Sequence, residues 1–176
     1  PLTEIKSIAV DVRSRTSVAV LKILFPFSKD LRIDSVPPNP ESMLADHSAA
    51  LIIGDLALTL DHLDSGITKY DLSDEWFRQT GKTFVHAVVA VRQGVMLDNV
   101  QKDFIQKSKE KGCGAIEEAI LAHSGLPEID PNVLVDYLKN KIKYDLNEEA
   151  INGLIHFSNL CYEYGIISKK VFTNFI

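Results

Sequence analysis

Short apolar runs alternate with helix-forming stretches over the first third of the chain, and this alternation narrows the fold more than any other feature. Ile5 to Val12 sets Ile8, Val10 and Val12 against Lys6, Ala9 and Asp11 and reads as a strand. Arg13-Ser14-Arg15-Thr16-Ser17 is a polar turn, and Val18 to Phe25 is a helix that Pro26 ends. A second strand at Arg32 to Val36 is closed by Pro37-Pro38-Asn39-Pro40, a stiff surface turn. A short helix from Ser42 to Ser48 leads to Ala50-Leu51-Ile52-Ile53, a continuous apolar run of the kind a strand buried on both faces requires. Strands alternating with helices predict an α/β fold with a mostly parallel sheet, whose ligands sit beyond the carboxyl ends of the strands.

That rule directs attention to two connections. Strand, Ser/Thr-rich turn, helix is an arrangement in which free N–H groups at a helix start face an anion. Ser14, Arg15, Thr16 and Ser17 stand where those amides point. An ordinary helix cap with an exposed arginine accounts for the same residues. Gly54 permits a tight exit from the third strand, and Asp55 reads either as the cap of a helix starting at Leu56 or as a polar group facing substrate.

Next, Tyr70-Asp71-Leu72-Ser73 leads into a helix centred on Trp76, with Ser73 as its expected cap and Gly81 as its stop. Phe84 to Val91 is rich in β-formers and reads as a long apolar strand that crosses between two lobes. His86 lies in it, either as a hydrogen-bonded core histidine or as a cleft group that binds a carboxylate or moves a proton.

From Val95 onward the pattern is helical. Asn99 to Lys109 is amphipathic, with Val100, Phe104 and Ile105 on one side, and Gly112-Cys113-Gly114 is expected to break it. Helices follow at Ala115 to His123, after Pro131, and from Asp145 to about Tyr164, where Gly165 stops the last.

A net charge of −5 argues against a general nucleic-acid binder, and no apolar run reaches membrane-spanning length. Cys113 and Cys161 have no CxxC spacing and read as two ordinary buried thiols in a reducing cytosol, with a disulfide as the alternative. His47 beside Asp46 and His62 beside Asp61 lack helix-spaced partner ligands, so no metal site is expected.

Gly54-Asp55-x-Ala57-Leu58, Tyr70-Asp71-Leu72 followed by Trp76, and Phe84-Val85-x-Ala87 occur here in an order and spacing that resemble the chorismate dehydratases of the futalosine route to menaquinone. Tyr144-Asp145-Leu146 and the stretch from Gly153 to Phe157 are similar to that family's C-terminal helices, and Ser14, Thr16 and Ser17 match its Ser-x-Thr-Ser element lining the cleft. The sequence departs from the family at His86, where an aromatic is usual, and at Val89, where a tryptophan is usual.

The resemblance implies a two-lobed fold like type II periplasmic binding proteins, with 1–83 as one α/β lobe. The remainder, 84–176, would be a crossing strand and the C-terminal helices of an incomplete second lobe. It implies loss of water from chorismate without cofactor or metal, in the cytoplasm. On the resemblance Ser14, Thr16 and Ser17 would be substrate-binding residues, and the positions of Arg15, Gly54, Asp55 and His86 add them to the expected substrate-binding set, with no catalytic residue assigned. It also implies a missing N-terminal segment, or a partner chain, to cover the orphaned helix faces. The alternatives are a solute-binding module for a small carboxylate and the related naphthoate-forming enzyme of the same pathway.

Overall fold

A computed structural model of the chain describes residues 4–26, 30–61, 66–123 and 129–171, which leaves His62 outside the described residues. The chain divides into two compact units, 1–86 with 147–176, and 87–146.

The first unit is built on three parallel strands, β1 (Ser7–Asp11), β2 (Arg32–Val36) and β3 (Ala49–Leu51), in the order β2-β1-β3. Ile8 stands opposite Ile33 on one side and Ala49 on the other, and Val10 opposite Ser35 and Leu51. The middle strand is the buried one, with Ile8, Ala9, Val10 and Asp11 all out of solvent. At β3 only Leu51 is buried, because a strand at the sheet edge is covered less than the run Ala50 to Ile53 leads one to expect.

Helix α1 (Thr16–Leu24) buries Ala19, Val20, Leu21, Ile23 and Leu24, and Pro26 lies just beyond its end. Helix α2 (Pro40–Asp46) starts earlier than Ser42, because Asn39 Oδ1 accepts the Ser42 N–H (3.0 Å) and Pro40 is preset for a first helical position. His47 ties this helix to β2, with Nδ1 3.1 Å from the Met43 carbonyl and Nε2 2.8 Å from Asp34.

Helix α3 spans Gly54–Asp61 and α4 spans Leu72–Thr80. The α4 cap is Asp71 rather than Ser73: its carboxylate accepts the N–H groups of Ser73 (2.7 Å) and Asp74 (3.2 Å), two donors that a cap at Ser73 would leave unmet. Gly81 ends α4 with φ +64°, as its position predicts.

Phe84 to Val91, expected as a strand, is neither helix nor strand. A strand needs a neighbouring edge to take its backbone groups, and among the described residues none pairs with this stretch, which leaves Val88 and Val89 exposed.

The last helix of the chain, Glu148–Glu163, is capped by Asn147 and brings Phe157, Leu160 and Cys161 onto the core around α1. Its Gly153 lies directly against the Thr83 backbone, and Thr83 Oγ1 donates to Glu149 one turn earlier.

In the second unit, α5 (Asn99–Gly114) opens with a reciprocal capping box between Asp98 and Gln101. It runs through Gly112 and Cys113 rather than breaking there, since an internal glycine costs a helix only about 1 kcal/mol. Helix α6 (Ile116–Ala122) and α7 (Pro131–Asp136) follow, and α7 passes into a π-helical turn at Tyr137–Lys141. The final helix, Glu148–Glu163, is therefore α8. The interior here is thin: Ile116, Ile129 and Leu134 are its buried apolar side chains among the described residues. Helix α5 buries none, and Val100 (77%) and Phe104 (71%) stand in solvent. Cys161 is buried, Cys113 half-buried, and both are free thiols. No helix among the described residues is long and apolar enough to cross a membrane.

Candidate functional site

The carboxyl end of β1 is a turn built on a buried acid. Asp11 closes the strand, and the Ser14 N–H returns to its carbonyl (2.8 Å). The Asp11 side chain is fully buried (0%), yet it is well served. Oδ1 accepts from the Arg13 backbone N–H (2.9 Å) and from Nε (3.0 Å), and Oδ2 accepts from Nη2 (2.7 Å). The bonded guanidinium holds the Asp11 carboxyl below the usual carboxylate range, outweighing the opposing effect of burial.

A carboxyl depressed on folding contributes stability above its unfolded value, near 3.8, and loses it as pH falls through the lower folded one. Asp11→Asn should therefore be less stable at neutral pH, and its stability should decline less steeply below pH 3.8 than the wild type's. Parallel acid limbs in the two proteins' denaturation curves would show that the folded environment does not favour this carboxylate.

Helix α1 begins at Thr16, earlier than the residue pattern suggests, because the turn at Asp11–Ser14 delivers Arg15 already in helical geometry (φ −87°, ψ −48°). The first helical bond runs from the Ala19 N–H to the Arg15 carbonyl (3.2 Å). Arg15 occupies the cap position and makes no side-chain cap bond, so the ordinary Ser/Thr cap is absent. Ser17 lies within the first turn, half-buried, and Thr16 and Arg15 are exposed. Ser14 is 7% exposed, and its Oγ has no hydrogen-bond partner among the described residues. Unmet helix donors thus stand beside an unmet hydroxyl, an arrangement suited to accepting a carboxylate or phosphate oxygen.

At the second connection, Gly54 takes φ +68° and opens α3, so Asp55 stands inside the first helical turn rather than capping a helix at Leu56. Its charge reaches Arg13, adding to the larger effect of Asp11 in raising the guanidinium pKa. The β1–α1 and β3–α3 connections therefore share one end of the sheet, as parallel topology requires.

His86 is exposed and lies outside any strand, so of its two readings the core histidine does not hold. Its Nε2 is 3.4 Å from Ser73 Oγ at the start of α4, and its ring packs edge-on against Phe84 at 5.0 Å. Among the described residues no hydrogen bond joins it to the 14–17 turn. In the second unit, an open cavity of about 420 Å³ is lined by Lys109, Lys139, Lys143, Cys113 and Tyr144. All three lysines are already engaged, Lys109 with Asp145 (2.7 Å), Lys139 with Glu117 (2.6 Å) and Lys143 with the Asn140 carbonyl (3.0 Å).

The Asp11–Arg13 pair is absent from the residues the sequence points to, since by pattern Asp11 is a strand's polar face and Arg13 part of a turn. The available signal is an aspartate at a strand end two residues before an arginine, the spacing at which an Asp side chain accepts the N–H two residues on and turns the chain.

A family model described as menaquinone biosynthesis matches residues 1–163. The chain is also similar to the chorismate dehydratase of Thermus thermophilus, 26% identical over 178 aligned positions that cover 89% of this chain. It spans 63% of that relative's length, less than two thirds. The family match takes in the sheet, both connections at its carboxyl end and the helices up to the end of α8, so this chain belongs to the menaquinone biosynthesis family.

Proposed function

We propose that the chain is the greater part of a chorismate dehydratase, a hydro-lyase that removes water from chorismate to give 3-[(1-carboxyvinyl)oxy]benzoate. The observation that carries the reading is the buried, unpartnered Ser14 hydroxyl beside the uncapped start of α1. Family membership and the relative's name support the choice of reaction.

The reaction breaks the C3–H and C4–O bonds of the ring, and the electrons of the C3–H bond complete the aromatic system as hydroxide leaves and takes up a proton. The C3 proton is vinylogous to the ring carboxylate. Donors fixed on that carboxylate therefore stabilise charge that moves into the ring as the proton departs. Ser14 Oγ and the first N–H groups of α1 are the groups here suited to that role, with Thr16, Ser17 and Arg15 at its margin and Asp55 across the mouth. His86, next to Ser73, would meet a more distant part of the ligand. The base that removes the proton is not assigned.

The proposal extends to a two-lobed architecture like type II periplasmic binding proteins, working in the cytoplasm with both thiols free. It also includes further polypeptide, from an upstream segment or a partner chain, lying over the exposed Val100 and Phe104 of α5.

Full-length protein should consume chorismate and release the benzoate product, whereas the 176-residue chain alone should not. Turnover by the isolated chain would refute the need for further polypeptide. Ser14→Ala in the full-length protein should weaken chorismate binding roughly tenfold or more, the equivalent of losing about 1.5–3 kcal/mol from a hydrogen bond to a charged group. Because the hydroxyl has no partner among the described residues, the same change should leave stability unchanged or slightly raised. Unaltered affinity in Ser14→Ala would make the residue a packing element and remove the main support for the site.

A further inference from the structure

We propose that Arg13 binds a substrate carboxylate directly, through the Nη1–Nη2 edge of a guanidinium that Asp11 holds in position. This rests on the reading above, in which a carboxylated ligand occupies the β1–α1 mouth.

A guanidinium carries five N–H donors in a planar fork. Asp11 takes one from Nε and one from Nη2, along one edge of the plane. The adjoining edge keeps a donor on each terminal nitrogen, the spacing that matches a carboxylate bidentately. The pair is asymmetric in the way a presenting site requires: the Asp11 side chain is buried completely, whereas that of Arg13 is 61% exposed. The acid is fixed by the sheet, and the base is fixed by the acid, so little side-chain freedom remains to be lost when a ligand docks.

Two other arginines show what this geometry is not. Arg15, two residues on, has no hydrogen-bond or ion-pair partner among the described residues and would have to be ordered by its ligand. Arg78 is also paired, with Glu75 one turn away on α4, an acid that keeps 16% of its side chain exposed where Asp11 keeps none. Arg13 alone among the three adjoins the buried, unpartnered Ser14 hydroxyl and the uncapped helix start. Asp55 also acts on it through its charge, and among the described residues no hydrogen bond joins the two.

The test uses full-length protein at low ionic strength, with chorismate, benzoate and benzamide as probes. Arg13→Lys keeps the charge and loses the fork, and Arg13→Gln loses both. Chorismate affinity should fall at least tenfold in Arg13→Lys and further in Arg13→Gln, measured well below each variant's melting temperature, which falls in both because the buried Asp11 carboxylate loses its bidentate partner. Wild type should also prefer benzoate to benzamide, and Arg13→Lys should lose that preference. A purely structural pair would lower the melting temperature and leave the preference in place.

If wild type binds chorismate and Arg13→Lys binds it equally well, the role of Arg13 is overturned and the dehydratase reading stands. If wild type fails to bind chorismate, that reading falls. A benzoate preference lost in Arg13→Lys would still establish the residue as a carboxylate site, and no preference in wild type would overturn it.

Discussion

Trp76→Ala should cost about 3–5 kcal/mol, the range for deleting a large aromatic side chain from a core. In a chain of this size that corresponds to a fall in melting temperature on the order of 10 °C. Trp76 has no exposed surface and is where three parts of the first unit meet. Its ring centroid lies 5.5 Å from Phe84, beyond the end of α4, and 5.7 Å from both His156 and Phe157 on α8. Phe84 and Phe157 pack edge-on at 5.3 Å, closing the cluster. The same core continues through Val20 and Leu24 of α1 to Ile8 and Val10 of β1.

Removing the indole thus uncouples α4, α8 and the chain at Phe84 from one another and from the sheet. Trp76→Phe separates two contributions. The indole Nε1 is buried with no hydrogen-bond partner among the described residues, and an unmet donor of that kind costs about 1–3 kcal/mol. Trading it for a phenyl ring sacrifices contact but removes that cost, so Trp76→Phe should lose under about 2 kcal/mol. Equal losses for Ala and Phe in urea denaturation would mean that the N–H is satisfied and the packing argument is incomplete.

The parts of the fold legible in the sequence are those decided by local chemistry. Alternating apolar residues at Ile8 and Val10, the glycine at 81 and the proline at 26 each act within a few residues, and the structure follows them. What failed needed a partner that a linear reading cannot see. Phe84 to Val91 has strand composition, but composition supplies no neighbouring edge, and among the described residues no strand pairs with it.

Ser73 looks like a cap until Asp71, with a charged oxygen and room to reach two N–H groups, is set beside it. The turn at Ser14 to Ser17 was legible as polar and as a helix start. That its serines do not cap the helix depends on Arg15 already being helical, a backbone fact with no signature in residue type. Burial of Asp11 depends likewise on its strand being the middle one of three, which fixes the orientation of Arg13 beside it.

Gly153→Ala in α8 should destabilise the protein, against the direction that helix propensity gives. Alanine is favoured over glycine in a helix interior by about 1 kcal/mol, so at a free position the change would stabilise. Position 153 is not free. A Cβ there would stand 1.9 Å from the Thr83 carbonyl oxygen and 3.0 Å from its carbon, and these are backbone atoms that cannot rotate aside. Helix α8 must therefore move off the chain by about an ångström. The bond from Thr83 to Glu149 lies one turn before and the Phe157 contact with Phe84 and Trp76 one turn after, and both would loosen. Overpacking of this kind costs about 1–3 kcal/mol, or more where backbone must yield, so the net loss should be roughly 2 kcal/mol after the propensity gain. Trp76 is the chain's single tryptophan, which makes its fluorescence a local reporter of the shift. The emission of folded Gly153→Ala should move to longer wavelength as water reaches the ring. A variant at least as stable as wild type, with unchanged emission, would show that α8 is not seated on Thr83 and that propensity decides at this position.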